Sequence, residues 1–362
     1  MADKKKGNAF TNNPLVKAVG TQKIVVLLVI IVLFAFFSIM SPGFRKYPTL
    51  VSIFDYSYYI SFMAIGVTFC LITGGVDLSI GTGMICYALF GGYLITRQGM
   101  PVIVGILGTL LLGLLMGCIN GVLVAVLELP PFIATLGTMM VARGFGSIIT
   151  GGMSVTWPAA SSEQGWFRML FKINKPGLLL PVGFLWVIFF VILMSLFLNK
   201  TRPGRYIIAI GSNKEATRLS GVNVVKYQAL AYILSGVFAG IAGVAYAAVF
   251  SSSIAPGNGA GLELDAIAGA IIGGTSMTGG CGSIFGTLLG VFVMSMLKSG
   301  LPYIGLQANW QQIITGLILI LAVFIDVIKN RKLAQHSSTH TFYFFDSGMR
   351  GSAALQKEDF EG

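Results

Sequence analysis

The chain carries few charged residues for its length. Only 10% of its 362 residues are Asp, Glu, Lys or Arg, and 55% are hydrophobic. A soluble domain carries about 25% charged residues. So few charges cannot cover a protein of this size in water, but lipid accepts an apolar surface. The deficit excludes an ordinary soluble protein and indicates an integral membrane protein.

Histidine and cysteine are also scarce. The two histidines, His336 and His340, lie in the polar C-terminal segment, and no two cysteines form a CxxC pair. Isolated cysteines in apolar or glycine-rich stretches are typical of small core residues, not of metal ligands or a disulfide framework. The sequence therefore predicts no metal site, no histidine-based catalytic site and no enzyme active site.

A nucleotide-binding loop is absent as well. The chain contains no Gly-Lys pair, so the G-x-x-x-x-G-K-[ST] phosphate cradle cannot occur. The glycine-rich stretch at 74–83 lacks the lysine. If the chain works with ATP, another protein must bind the ATP and its Mg²⁺, and we expect no cofactor on this chain.

Long apolar runs are what the sequence does contain. A lipid-crossing helix needs about 20 apolar residues, and ten runs qualify, so we predict an all-α, polytopic membrane protein. The third and eighth runs are rich in glycine, which favours a broken or re-entrant helix. The predicted spans are Ile24–Met40, Ile53–Thr73, Ser79–Thr96, Val102–Leu127, Pro131–Thr150, Leu178–Leu198, Gln228–Phe250, Leu262–Met277, Ser283–Leu301 and Trp310–Ile328.

Three basic segments predict the orientation of these spans. They are the leader 1–23, the loop 199–227 and the residues 329–332 after the last span. Cytoplasmic segments carry the excess of Lys and Arg, and even numbers of spans separate the three, so both termini are predicted to be cytoplasmic. The net charge of +11 then reflects topology, not nucleic-acid binding. The basic loop 151–177 is an exception to this rule, because the predicted topology places it on the extracytoplasmic side of the membrane.

The chain divides into three predicted parts. Residues 1–23 form a cytoplasmic basic leader, residues 24–332 form the transmembrane domain, and residues 333–362 form a polar tail with no assigned fold. Within the domain, glycines recur at a spacing of four, for example Gly113 and Gly117, or Gly236 and Gly240. Such rows allow helix backbones to approach closely in a membrane.

Two glycine-rich breaks interrupt the apolar runs, one in each half, at 73–81 and 273–282. Paired interruptions in corresponding places are the usual sequence pointer to a transport pathway; a tight turn between helices is the alternative. Ionisable groups in spans cost about 2.5–3.5 kcal/mol each on insertion scales and need a reason. The candidate pathway residues are Asp77, Ser79, Asn120, Asp265, Thr275 and Thr278.

Three further charged residues lie in predicted spans. Arg143 is near the middle of the fifth span, Glu263 begins the eighth, and Asp326 is close enough to the end of the tenth to be wetted. Arg143 could pair with a carboxylate, and a structural and a functional role both stay open. Because the chain lacks a series of buried carboxylates, a proton- or sodium-coupled carrier is disfavoured.

The basic loop 199–227 contains a short predicted helix. Asn213 can cap a helix at Lys214–Leu219, Gly221 is suited to end it, and Pro203-Gly204 predicts a turn before it. A short, basic, capped helix between two long spans could seat in a groove of a partner protein. An ordinary positive-inside loop is the alternative.

Five stretches, in order along the chain, resemble the permeases of ribose-, galactose- and xylose-type ABC importers. The resemblance runs from about residue 50 to residue 332, and the tail beyond it departs from the family's short basic end. The stretches are TGGVDLSIGTGM (73–84), PPFIATLGTMMVARG (130–144), RPGRYIIAIGSNKEATRLSGVNV (202–224), YILSGVFAGIAG (232–243) and LDAIAGAIIGGTSMTGGCGSIFGTLLG (264–290).

This resemblance implies a channel-forming subunit, paired as a homodimer in the bacterial inner membrane, with the fold of vitamin B12-type importer permeases. It implies that an extracytoplasmic binding protein delivers a monosaccharide and that a cytoplasmic ATPase drives alternating access. The implied coupling helix at 212–222 has as contact residues Ser212, Asn213, Lys214, Glu215, Ala216, Arg218 and Gly221.

Two other functions remain open at this point. A permease of the same fold for a nucleoside or another small solute would keep the coupling helix and change the lining of the pathway. An ion-coupled secondary carrier would need no ATPase.

Overall fold

The computed structural model describes residues 21–172, 181–250, 253–307 and 309–328. Several predictions lie outside these residues: most of the leader, the start of the sixth span at Leu178, the basic residues 329–332 and the tail 333–362.

The described residues form twelve α-helices and no β-strand, so the predicted all-α class is confirmed; a single β-bridge joins Val155 and Ile254. Short 3-10 segments lie at Pro42–Arg45, Glu163–Leu170 and Leu301–Ile304. The helices are α1 (Thr21–Met40), α2 (Tyr47–Ile72), α3 (Ile80–Thr96), α4 (Val102–Gly121), α5 (Pro131–Thr150), α6 (Val182–Lys200), α7 (Arg202–Ser212), α8 (Lys214–Leu219), α9 (Val224–Val249), α10 (Leu262–Ile272), α11 (Ile284–Gly300) and α12 (Asn309–Ile328).

Eight of these helices are long and apolar enough to cross a membrane, and they correspond to eight of the ten predicted spans. The third and eighth predicted spans become α3, with 17 residues, and α10, with 11 residues. At 1.5 Å per residue, α10 extends about 16 Å and cannot cross a hydrocarbon core of about 30 Å alone. The irregular helices are therefore the two that the sequence marked as glycine-rich.

Helices α2 and α9 form the centre of the protein, and most of their residues are buried. Helices α1, α6 and α12 lie at the periphery and expose large apolar side chains, as a lipid-facing surface requires. The predicted glycine rows lie between α4 and α9. A methyl group at Gly113 would lie 2.6 Å from the Gly236 carbonyl oxygen, and one at Gly117 would lie 2.8 Å from the Tyr232 carbonyl oxygen.

One end of the bundle collects the segments that adjoin all three basic regions of the sequence. The Gln22 side chain, at the start of α1, lies against Gly274 in the second break. Asp326, near the end of α12, accepts a hydrogen bond from Ser276 in the same break. The end of α7 packs there too. We call this end, defined by the start of α1, the end of α12 and α7–α8, the basic end.

The loop after α5 closes the opposite end of the bundle. The Gln164 side chain accepts a hydrogen bond from the Val102 backbone at 2.7 Å, and Arg168 Nε donates to the Ala248 carbonyl at 3.3 Å. Burial lowers the pKa of the Arg168 guanidinium from its ordinary value. Arg168, one of the basic residues of this loop, is thus occupied by a contact with the end of α9.

Candidate functional site

Residues 73–79, which belong to the first break, join α2 to α3 and bring Asp77 into the interior. Only 1% of the Asp77 surface is exposed. Its Oδ1 accepts hydrogen bonds from the Ser79 backbone N at 2.9 Å and from Ser79 Oγ at 2.6 Å. Its Oδ2 accepts one from Ser235 Oγ on α9 at 2.8 Å. The carboxylate is therefore held by neutral donors from two elements.

Two more helices join this network. Asn120 of α4 donates from Nδ2 to Ser79 Oγ at 2.9 Å, and its Oδ1 accepts from Thr138 Oγ1 of α5 at 2.7 Å. Three predicted pathway residues, Asp77, Ser79 and Asn120, are thus brought together in one network. In this conformation their polar atoms bind one another, so the network joins the first break to α4, α5 and α9.

Residues 273–283, which contain the second break, join α10 to α11. Hydrogen bonds attach this segment to α12. Asp326 Oδ2 accepts from Ser276 Oγ at 2.8 Å and from the Met277 backbone N at 3.1 Å. Thr278 Oγ1 lies 2.9 Å from Ser276 Oγ, and the Thr275 hydroxyl lies 3.4 Å from that of Thr287. Of the two predicted residues of this break, Thr278 contacts Ser276 within it and Thr275 contacts Thr287 of α11.

Asp326 has a larger role than its position at the end of an apolar run indicated. It closes the second break over a separation of 49–50 residues. The sequence did signal this role, because a carboxylate lay within an otherwise apolar span. We had attributed that carboxylate to contact with water at the end of the span.

The two breaks touch each other and the end of α7. The Gly280 backbone N donates to the Ile72 carbonyl at 2.9 Å. A methyl group at Gly279 would lie 2.9 Å from the Gly211 carbonyl oxygen and 3.0 Å from the Gly74 nitrogen. No side chain fits between these backbones, so the end of α7 packs directly against both breaks.

Helix α8 has the bounds and the cap that the sequence predicts. Asn213 Oδ1 accepts from the Ala216 backbone N at 2.9 Å, and Gly221 follows the helix with φ +80°. Lys214, Glu215 and Arg218 are exposed. One residue that sequence reasoning missed is Leu219, which is 81% exposed. Its signal was an apolar residue at the end of a basic helix.

The prediction of a turn at Pro203-Gly204 is wrong. Both residues lie in the first turn of α7, where Thr201 Oγ1 accepts a hydrogen bond from the Gly204 backbone N at 3.3 Å. Proline fits the first turn of a helix because its missing N–H has no partner there in any case.

Asp265 lies apart from both breaks, in the first turn of α10. It forms an ion pair with Lys298 of α11 at 2.5 Å, and its Oδ1 accepts from Thr315 Oγ1 of α12 at 3.3 Å. Sequence reasoning did not single out Lys298, although a lysine inside an apolar run is a signal. The arrangement joins three helices and pairs a charge that would otherwise be costly to bury.

Comparison with known proteins identifies the family of this bundle. Residues 49–323 match the family described as the permease component of the branched-chain amino acid transport system, and they contain both breaks, α7 and α8. The chain belongs to this permease family. No solved structure matches the chain.

Several curated relatives cover most of the permease. It is 38% identical over 306 residues to the ribose import permease protein RbsC of Escherichia coli K12, covering 83% of this chain and 92% of that protein. It is 34% identical over 329 residues to the galactose/methyl galactoside import permease protein MglC of Salmonella typhimurium, covering 84% and 94%. It is 33% identical over 309 residues to the autoinducer 2 import system permease protein LsrC of Escherichia coli O9:H4, covering 85% and 87%.

Proposed function

We propose that this permease is the membrane-spanning subunit of a bacterial ABC importer that moves a monosaccharide of the ribose, galactose or xylose class into the cytoplasm. The observation that carries the proposal is the 38% identity to a ribose import permease over 92% of that protein. A galactose import permease is similar over an equal share of the chain. The permease itself is a transport subunit and catalyses no reaction.

An ATPase subunit is the proposed cytoplasmic partner, and α7–α8 is its proposed docking site. The exposed residues of α8 and its flanks carry charge, and Leu219 adds an apolar side chain that is 81% exposed. An apolar anchor surrounded by polar residues is typical of a protein interface. ATP and Mg²⁺ would be bound by that subunit, because this chain lacks a phosphate-binding loop.

Transmission of motion follows from the contacts of α7. Helix α7 touches both breaks at backbone distance. It would therefore pass a displacement of the ATPase to α3, which follows the first break, and to α10, which precedes the second. Alternating access is then a movement of these two short helices relative to the long ones around them. Asp77 and Asp326 keep each break attached to neighbouring helices during that movement.

A second copy of the permease is the proposed partner within the membrane. Helix α5 exposes a face on which Gly137 and Gly144, two turns apart, have no neighbouring atoms from the part of the chain that the structure describes. Large apolar residues such as Met140 and Val141 lie beside them and are exposed. Small residues on an exposed membrane helix favour close packing against another helix, so this face is a candidate for the homodimer contact.

The proposed location is the bacterial inner membrane, with both termini in the cytoplasm and the three-part division 1–23, 24–332 and 333–362. The gathering of the start of α1, the end of α12 and α7–α8 at the basic end supports it. An extracytoplasmic sugar-binding protein would then dock at the opposite end, around the 3-10 segment Glu163–Leu170. We also propose that the permease has the fold of vitamin B12-type importer permeases.

Affinity purification of the permease from its native membranes, followed by mass spectrometry, tests this assignment. We expect an ATP-binding cassette subunit and a periplasmic-type sugar-binding protein to be recovered with it. Recovery of the permease alone, in a detergent that preserves other ABC complexes, would instead favour a secondary carrier.

A further inference from the structure

Around the first turn of α3 lie three buried polar atoms that have no hydrogen-bond partner among the residues that the structure describes. They are Thr82 Oγ1 on α3, Arg143 Nε on α5 and Glu263 Oε2 on α10. Glu263 is only 8% exposed and Thr82 only 1%. We call these residues the polar triad. Buried polar atoms are almost always paired in folded proteins, so three that lie close together leave hydrogen bonds that a bound molecule can make.

The absence of a side chain at Gly81 lets the Glu263 carboxylate lie directly against the backbone of α3. A methyl group at position 81 would collide with Glu263 Oε2, so a side chain there would fill the space in front of that oxygen. The other oxygen, Oε1, accepts from the Gly261 backbone N at 3.2 Å and is thereby fixed. One oxygen anchors the carboxylate, and the second is left for another group.

The register of α3 and α5 places Arg143 at the level of Thr82. Thr135 of α5 bonds the backbone at Leu78, and Gly146 of α5 packs against Cys86 of α3, so the two helices run parallel. Arg143 precedes Gly146 by one turn, as Thr82 precedes Cys86. The guanidinium also attracts the Glu263 carboxylate electrostatically, yet the described residues give the pair no contact at salt-bridge distance.

The chemistry of the polar triad selects a neutral hydroxylated ligand. A carboxylate oxygen only accepts hydrogen bonds, a guanidinium only donates them, and a threonine hydroxyl does both. A cation would satisfy Glu263 alone, and an anion would satisfy Arg143 alone. A vicinal pair of sugar hydroxyls can donate to the first and accept from the second at the same time.

We propose that the polar triad binds hydroxyl groups of the transported monosaccharide during its passage. This inference rests on the proposed function and adds a contact site to it. The triad bridges α3, α5 and α10, and the breaks attached to α3 and α10 contact α7. A movement of α7 would therefore shift two of the three helices that carry the triad.

Uptake by cells that contain the complete importer tests the proposal. The probe is labelled D-ribose, D-galactose or D-xylose, whichever the parent accumulates, together with its 2-deoxy analogue. The test variants are Thr82→Val, which removes the hydroxyl at constant shape, and Glu263→Gln. The controls are Thr82→Ser, which retains the hydroxyl, and Glu128→Gln, the same change at an exposed residue outside the proposed docking surfaces.

We expect Thr82→Val and Glu263→Gln each to lower uptake about tenfold, the order set by one hydrogen bond to a charged or buried group. At least one variant should also change the ratio of sugar to 2-deoxy sugar. Both controls should resemble the parent, and the ATPase activity stimulated by the binding protein should persist in every variant.

Two results would overturn the proposal. Parental uptake with an unchanged ratio in both test variants would show that only water occupies the triad. Loss of uptake together with loss of the stimulated ATPase activity would show that the triad is structural. If the parent itself accumulates none of the three sugars, the proposed function fails instead, independently of the triad.

Discussion

Asp77 accepts three hydrogen bonds in the interior, from two donors on Ser79 and one on Ser235. Asparagine has one acceptor oxygen, and its amide N–H₂ would face another donor. We expect Asp77→Asn to destabilise the permease by about 1–3 kcal/mol and to impair uptake. Thermal unfolding in detergent and uptake at matched membrane levels measure the two effects.

The control for this change is Asp55→Asn. Asp55 pairs with Lys172 at 3.8 Å, at a partly exposed position outside the network, so its replacement should cost little. Normal uptake by Asp77→Asn at normal expression would remove Asp77 from the residues that support transport.

The ion pair between Lys298 and Asp265 leads to a second prediction, which concerns stability. Replacing one partner of a buried ion pair leaves an uncompensated charge and costs about 3–5 kcal/mol. We expect Lys298→Met to lower the unfolding temperature strongly, and the double variant Lys298→Met/Asp265→Asn to recover much of the loss. Equal destabilisation in the single and the double variant would contradict a pair that acts as a unit.

At the scale of the element, α8 depends on its cap because it has only six residues. Asn213→Ala removes the bond to the Ala216 backbone and should cost about 1 kcal/mol of local helix stability. We expect less ATPase to be recovered with this variant on purification. Asn213→Asp retains an N-cap oxygen and should recover as much as the parent; equal recovery with Asn213→Ala would show that the ATPase docks elsewhere.

The helices could largely be predicted from the sequence, since apolar runs of membrane length and cap residues are local signals. The apolar runs predicted the eight long helices, and Asn213 with Gly221 predicted α8 and both its ends. The turn predicted at Pro203 was wrong because proline occurs both in turns and in the first turn of a helix. Here the Thr201 side chain caps the helix, so Pro203 belongs to α7. Helix α10 is short because the second break begins right after Ile272.

The site was less predictable, because its contacts join distant parts of the chain. Asp77, Ser79 and Asn120 were singled out from the sequence, but the hydrogen bonds that join them through Ser79 and the contribution of Ser235 follow only from packing. The contact of Gly211 with both breaks has no local signal. Likewise, an unpartnered oxygen on Glu263 is a property of three helices together.

At the scale of the whole molecule, the basic end is predicted to face the cytoplasm. In a background without the native cysteines, a cysteine in place of Ser162, in the loop after α5, should react with an impermeant maleimide in intact cells. A cysteine in place of Lys214 in α8 should react only after permeabilisation. The reverse labelling pattern would invert the orientation.

The energy source for uptake tests the central claim most directly. Cells that contain the complete importer are given labelled D-ribose, D-galactose or D-xylose while ATP and the proton gradient are collapsed separately. The account predicts that accumulation stops when ATP is depleted and persists when an uncoupler removes the gradient in cells whose ATP is maintained. Accumulation that survives ATP depletion and stops with the uncoupler would contradict it and identify an ion-coupled carrier.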